Sequence, residues 1–199
     1  MIRRSFVILL TLIAFCCQGM SAQSEDAAAK RRVQEVVAQL GDYLNYMADK
    51  NNSLKSRQYY RKKALKLFIG NGEPYTIGSR QFPAVSMQTT SLRNRTPKTQ
   101  PMAEYFTHLI NLRYEQVSLE TTEVANIKVS DLRKIDDDTY VCTAYIEQWF
   151  VGKRREGGYY KDKTNKSVQV YVKVEDTIDN PEYIILLGNI TATHTERLQ

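Results

Sequence analysis

The chain has little of the chemistry that marks metal centres and nucleophiles. It holds three cysteines, two histidines and one tryptophan in 199 residues. Cys16 and Cys17 stand in an apolar N-terminal segment, so Cys142 is alone in the rest of the chain and no internal disulfide can form there. A domain exported without disulfides relies on packing. His108 and His194 do not stand at ligand spacing, and a metal site takes three or four ligands, so no metal is expected. The sequence has no Gly-rich phosphate loop and no G-x-S-x-G. Motifs therefore give no reason to expect a cofactor or a defined catalytic set.

Long apolar runs are also scarce. Phe6 to Cys17 is the longest, twelve residues broken only by Thr11. A membrane-spanning helix needs about 20. Arg3 and Arg4 precede this run, and Gly19, Ser21 and Ala22 follow it. A charged start, a short apolar stretch and a small-residue exit describe a secretory signal peptide over residues 1–22. The expected location is the periplasm, the cell surface or the extracellular space. Lipidation at Cys16 or Cys17 is the alternative, against which Phe15 stands where a small residue belongs.

Charge is nearly balanced. Arg3 and Arg4 are two of the 28 basic residues, which leaves 26 against 22 acidic ones and a net charge of +4 beyond the leader. That is far from the dense basic face of a nucleic-acid binder, so no nucleic acid is expected as partner. Residues 23–199 are long enough for one domain with its own core.

Val33, Val36, Val37, Leu40, Tyr43, Leu44 and Met47 recur at spacings of three and four, the apolar stripe of a first helix. Ser53 is a candidate N-cap for a second helix reaching Phe68, with Gly70 as its C-cap glycine. Pro101 suits the start of a third, striped by Met102, Tyr105, Phe106, Leu109 and Ile110. Strand periodicity appears at 85–89 and dominates after Tyr114. Ala125, Ile127 and Val129 alternate, 140–151 reads as a long strand, "NKSVQVYVKVE" sets Val168, Val170, Val172 and Val174 on one face, and "YIILLGNITATHTE" closes the chain. Stretches 136–138, 153–158 and 176–182 read as turns.

The expected fold is α+β, with three helices of the N-terminal half packed on a curved, cone-like antiparallel meander sheet. This element order resembles the nuclear transport factor 2-like superfamily, which includes ketosteroid isomerase-like and SnoaL-like proteins. The resemblance covers about residues 30–197 and lies in element order, not in a diagnostic motif. A cystatin-like arrangement is the alternative. The "SAQ" exit is similar to that of exported Bacteroidetes proteins. The resemblance implies a pocket between the helices and the concave sheet face.

Period two divides the strand at 140–151 into two sets. Cys142, Ala144, Ile146, Gln148 and Phe150 suit the helix-facing side. Tyr145, Glu147 and Trp149 share the other side and, with Tyr171 and Asn189, are the candidate ligand- or partner-binding residues. An isomerase or dehydratase of the superfamily needs a general base and an oxyanion donor, for which Glu147 and Tyr145 or Tyr171 are the candidates. A strand Glu is more commonly paired across the sheet, here with Lys173 or Lys128. Cys142 reads as a core residue. The acidic stretches at 136–139 and 175–182 lack calcium-loop spacing. Arg57, Arg61 and Lys66 on the second helix, with Lys153, Arg154 and Arg155 at a hairpin tip, form a candidate basic patch for an anionic surface or partner.

The functional expectation is an exported, non-catalytic binding or assembly module whose ligand or protein partner the residues do not name. The alternatives are a small isomerase or dehydratase with a carboxylate in the cone, and a structural subunit forming a homodimer through its sheet face.

Overall fold

The structure is a computed structural model that describes residues 26–92, 96–175 and 182–198. The expected leader, with Cys16 and Cys17, lies outside them, as does most of the turn at 176–182. Among the described residues no helix is long and apolar enough to cross a membrane.

The architecture is α+β. Helices α1 (26–48) and α2 (Leu54–Leu65) come first, and α3 (Met102–Ile110) follows four short strands. They pack against an open sheet in which β4 (Lys98–Pro101), β3 (Ser86–Thr89), β10 (Glu182–Arg197), β9 (Tyr159–Glu175), β8 (Thr139–Lys153) and β5 (Gln116–Thr121) lie in that order. The strands β6 (Lys128–Val129) and β7 (Arg133–Lys134) pair with β8 beyond β5. A separate hairpin joins β1 (Tyr75–Ile77) to β2 (Arg80–Phe82). The long strands β8, β9 and β10 are the expected antiparallel meander, but β3 joins β10 in parallel, so the sheet is mixed.

The stripe of α1 is buried as its spacing requires: Val33, Val36, Val37, Leu40, Leu44 and Met47 enter the core. Its polar flank is tied down as well. Gln34 Nε2 donates to the Ile127 carbonyl at 2.8 Å, and the Asn45 side chain accepts from the Leu119 amide at 3.3 Å. Ser53 caps α2, its hydroxyl accepting from the Ser56 amide at 3.1 Å. That helix stops at Leu65 and does not run on to Phe68. The chain leaves the helical path because Phe68 pairs with Leu187 of β10 and the Leu187 amide bonds the Leu67 carbonyl at 2.8 Å. Gly70 then sits in the left-handed region at φ 71°, inside a short 3-10 turn.

The alternation at Ala125, Ile127 and Val129 is not one strand. Residues Val124–Asn126 form a 3-10 turn, and β6 and β7 are two residues each. Strand β9 begins at Tyr159, six residues before the apolar repeat suggests. Strand β10 shifts register between Leu187 and Ile190 and again between Ala192 and His194. The first shift moves the buried set from Ile185 and Leu187 to Ile190 and Ala192, which bends the strand without exposing its apolar residues.

Helix α1 crosses β5 closely at Gly41. A methyl group there would overlap Thr121 Oγ1 and come within 3.3 Å of its Cγ2. Gly41→Ala improves helix propensity by about 1 kcal/mol, yet overpacking is expected to win and lower stability by about 1–3 kcal/mol in urea unfolding. Thr121→Ala in the same chain should restore most of the loss. A stabilised single variant would contradict this packing.

Candidate functional site

Strand β9 carries one face toward the helices along its whole length. From its C-terminal half that face presents Val172, Val170 and Val168, all fully buried. The same row continues as Lys166, Thr164, Asp162 and Tyr160. Opposite them on β8 stand Ile146, Gln148 and Phe150, paired with Lys166, Thr164 and Asp162 respectively. The inner face thus turns from apolar to polar partway along the sheet.

The polar half lines a cavity of about 390 Å³. Tyr105, His108 and Leu109 of α3 form its opposite wall, and Gln100 of β4 and Thr89 of β3 close one side. The volume is in the range of small-molecule sites. Five polar or charged residues of the described chain are buried: Gln100, Gln148, Asp162, Thr164 and Lys166. All five line this one cavity. Burying a polar group without a partner costs roughly 1–3 kcal/mol, so their gathering in one place sets this end of the inner face apart from the apolar core.

Lys166 is the centre of the cluster. It is only 5% exposed. Its Nζ donates to Gln148 Oε1 at 2.7 Å, lies 3.7 Å from Met87 Sδ and sits 5.7 Å from the centre of the Tyr105 ring. Among the described residues no carboxylate lies within ion-pair reach of it. Burial pushes its amine down to about 8, and the more distant Asp162 carboxylate opposes that only in part. An amine donates and so fixes the amide oxygen of Gln148 on its own side. Gln148 Nε2 is then a buried donor with no partner among the described residues.

Asp162 accepts a 2.6 Å hydrogen bond from the Tyr160 hydroxyl. Burial raises its carboxyl above the ordinary range, against the lowering effect of that hydrogen bond. Burial likewise raises the Tyr105 phenol and pushes Tyr160 up to about 12. Thr164 bonds Thr195 through their hydroxyls at 2.9 Å, and Thr195 also meets Thr90. His108 Nδ1 and Gln100 Oε1 are 2.9 Å apart.

No protein-family model and no curated protein matches the chain. The Kfla4162 protein from Kribbella flavida is similar in structure, with 14% sequence identity over 87% of this chain and 95% of that one, at a TM-score of 0.41. A likeness so loose carries no argument about this chain.

The residues singled out in the sequence lie elsewhere. Tyr145, Glu147 and Trp149 are on the sheet face turned away from the cavity, and Tyr145 is 51% exposed. Glu147 pairs with Lys163 at 3.4 Å rather than with Lys173 or Lys128. The register puts Lys163 opposite Trp149, whereas Lys173 serves Asp138 and Glu175. Tyr171 is on the outer face too, buried with the Tyr75 ring edge-on at 6.5 Å. Asn189 accepts from the Ser86 amide and hydroxyl at 2.8 and 3.1 Å, which fastens β10 to β3. Cys142 is in the core, its thiol pushed up to about 11 by burial.

The expected basic patch is divided between structural tasks. Arg57 Nη1 and Lys50 Nζ both donate to the Ile110 carbonyl at the end of α3, at 2.8 and 2.9 Å. Arg61 donates to the Ala103 carbonyl at 3.2 Å. Lys153 pairs with Glu115 at 3.1 Å. Lys66 and Arg155 are exposed, and Arg154 borders a surface cleft with Lys161 and Arg197. The cavity cluster itself has a sequence signal: stepping back by twos from Val168 reaches Lys166, Thr164, Asp162 and Tyr160.

The folded-state value of Lys166 lies below its ordinary 10.5. Between about 8 and 10.5 the unfolded chain therefore holds the extra proton, and stability rises with pH across that window. Lys166→Met should flatten this rise, with a difference between the two chains on the order of 3 kcal/mol from one end of the window to the other. Thermal unfolding at stepped pH checks it. Parallel curves for the two chains would contradict a buried amine.

Proposed function

We propose that this chain is an exported, nuclear transport factor 2-like binding module that holds a small amphipathic ligand in the cavity between α3 and the inner faces of β8 and β9. The supporting observation is the placement of all five buried polar side chains of the described residues on that one cavity. Lys166 and the unpartnered Gln148 Nε2 both offer hydrogens at the same end, so that end takes the acceptor atoms of the ligand, a carboxylate or a carbonyl. Leu109, Leu112 and Phe150 supply apolar wall for its hydrocarbon part.

A second reading follows from Asp162 and Tyr160. Asp162 lines the cavity and can act as general base beside a bound carbonyl, oriented by the Tyr160 hydroxyl, whose one hydrogen is given to that carboxylate. In the isomerase or dehydratase alternative, Asp162 takes the base role that the sequence offered to Glu147.

Calorimetric titration with small aromatic and aliphatic carboxylates and their aldehydes separates the cavity from the outer face. Saturable binding is expected for members that fit. Lys166→Met and Gln148→Leu should each weaken it about tenfold or more, a change of about 1.4 kcal/mol. Glu147→Gln should leave it unchanged. Absence of saturable binding across the set, or an equal loss in the Glu147 variant, would contradict the proposal.

A further inference from the structure

We propose that Lys166 is a carbonyl-capturing residue, its side-chain amine forming a reversible imine with an aldehyde or ketone seated in the cavity. This rests on the reading of the cavity as a ligand site and names the class of ligand. Three features of the geometry carry it.

The first is the company that Nζ keeps. Its contacts are a neutral amide oxygen, a thioether sulfur and the face of a phenol ring, with no carboxylate in reach among the described residues. Such surroundings favour the neutral amine, which is the nucleophile, and desolvated lysines are the usual imine formers. The lowering of this amine by burial is consistent with that.

The second is reach. Lys166 is one of the residues that line the cavity, and Gln148 and Tyr105, which its amine meets, line it as well. The third is the Gln148 amide. Its oxygen accepts from Nζ, and its nitrogen is left as a buried donor without a partner among the described residues. A carbonyl seated against Nζ would stand beside this amide, whose nitrogen is a donor of the kind that carbonyl addition needs.

The chemistry closes without a co-reactant. The Nζ lone pair attacks the carbonyl carbon and a carbon–nitrogen bond forms. The two hydrogens of the neutral amine end on the carbonyl oxygen, the carbon–oxygen bond breaks, and one water leaves. Nothing is oxidised or reduced. The titratable groups that face this corner are Asp162 and Tyr160 of β9, Tyr105 and His108 of α3, Lys98 of β4 and Tyr114 ahead of β5. Asp162 is the only carboxylate among the lining residues and is the group able to return a proton to the departing oxygen through water.

The test is reductive trapping. The purified protein is incubated with benzaldehyde and cyanoborohydride at pH 8, and the modified lysines are located by peptide mass mapping. Labelling at Lys166 should run at least tenfold faster than at the exposed Lys62 and Lys134. Lys166→Arg, which keeps a long cationic side chain, should abolish the fast labelling and leave the exposed sites unchanged. Benzyl alcohol, which fits the same space without a carbonyl, should slow labelling at Lys166 and raise the unfolding temperature. Labelling of Lys166 no faster than Lys62 overturns the inference. If benzyl alcohol still stabilises the protein in that case, the cavity remains a ligand site and only imine formation fails. If it does not, both readings fall.

Discussion

A strand that runs for 17 residues keeps the same side chains turned inward from end to end, and β9 does so at the centre of the sheet. The period of two allows no local exception unless a bulge intervenes. Val172, Val170 and Val168 lock one end of the strand under the helices. Lys166, Thr164 and Asp162 are carried inward by that same register, whatever their own preference for water. The polar cavity is thus a consequence of the valine-anchored strand as well as of the residues that line it. Moving Lys166 to the solvent side requires a register slip that expels the valines, each worth about 1.5–3 kcal/mol when buried.

The polar residues so trapped are then satisfied unequally. Thr164 finds Thr195, Asp162 finds Tyr160 and Gln100 finds His108. Among the described residues Lys166 has only the Gln148 oxygen and softer contacts, and Gln148 keeps a spare donor. Fully satisfied networks rigidify a core, whereas a buried donor left unpaired keeps its desolvation cost of roughly 1–3 kcal/mol. Outside the cavity, Arg57 and Lys50 converge on the last carbonyl of α3 and Arg61 bonds one near its start, which ties α2 and the turn before it to α3. Arg57 Nε and Arg61 Nε are buried there without a partner among the described residues.

Much of the architecture is legible in the residues. The three helices follow from apolar spacing and from Ser53 and Pro101 at their starts. The division of β8 into an inner set with Cys142 and an outer set with Glu147 follows from its period. What hides is whatever depends on partners far along the chain. The premature end of α2 needs Leu187, more than 100 residues away, and the tasks of Arg57 and Arg61 need the carbonyls of α3. The bulges in β10 reverse its inward set, and no residue type announces them. A pocket between the helices and the sheet is what the resemblance implies, but the residues that line it are hidden for a different reason. Apolar alternation marks a strand only where the inward positions are apolar, so it marks β9 from Asn165 onward, and the polar start at 159–164 carries no strand signal. Extending the valine row backward by twos finds Lys166, Thr164, Asp162 and Tyr160.

The fold holds one lysine amine, that of Lys166, buried at the cavity and without an acidic partner among the described residues. Titration of the protein with carbon-13 at lysine Cε, followed by NMR, measures it directly. One lysine signal should turn over near pH 8, and it should be missing from Lys166→Met. If every lysine signal turned over near its ordinary value, above pH 10, the amine would be solvated and the account of the cavity would be wrong.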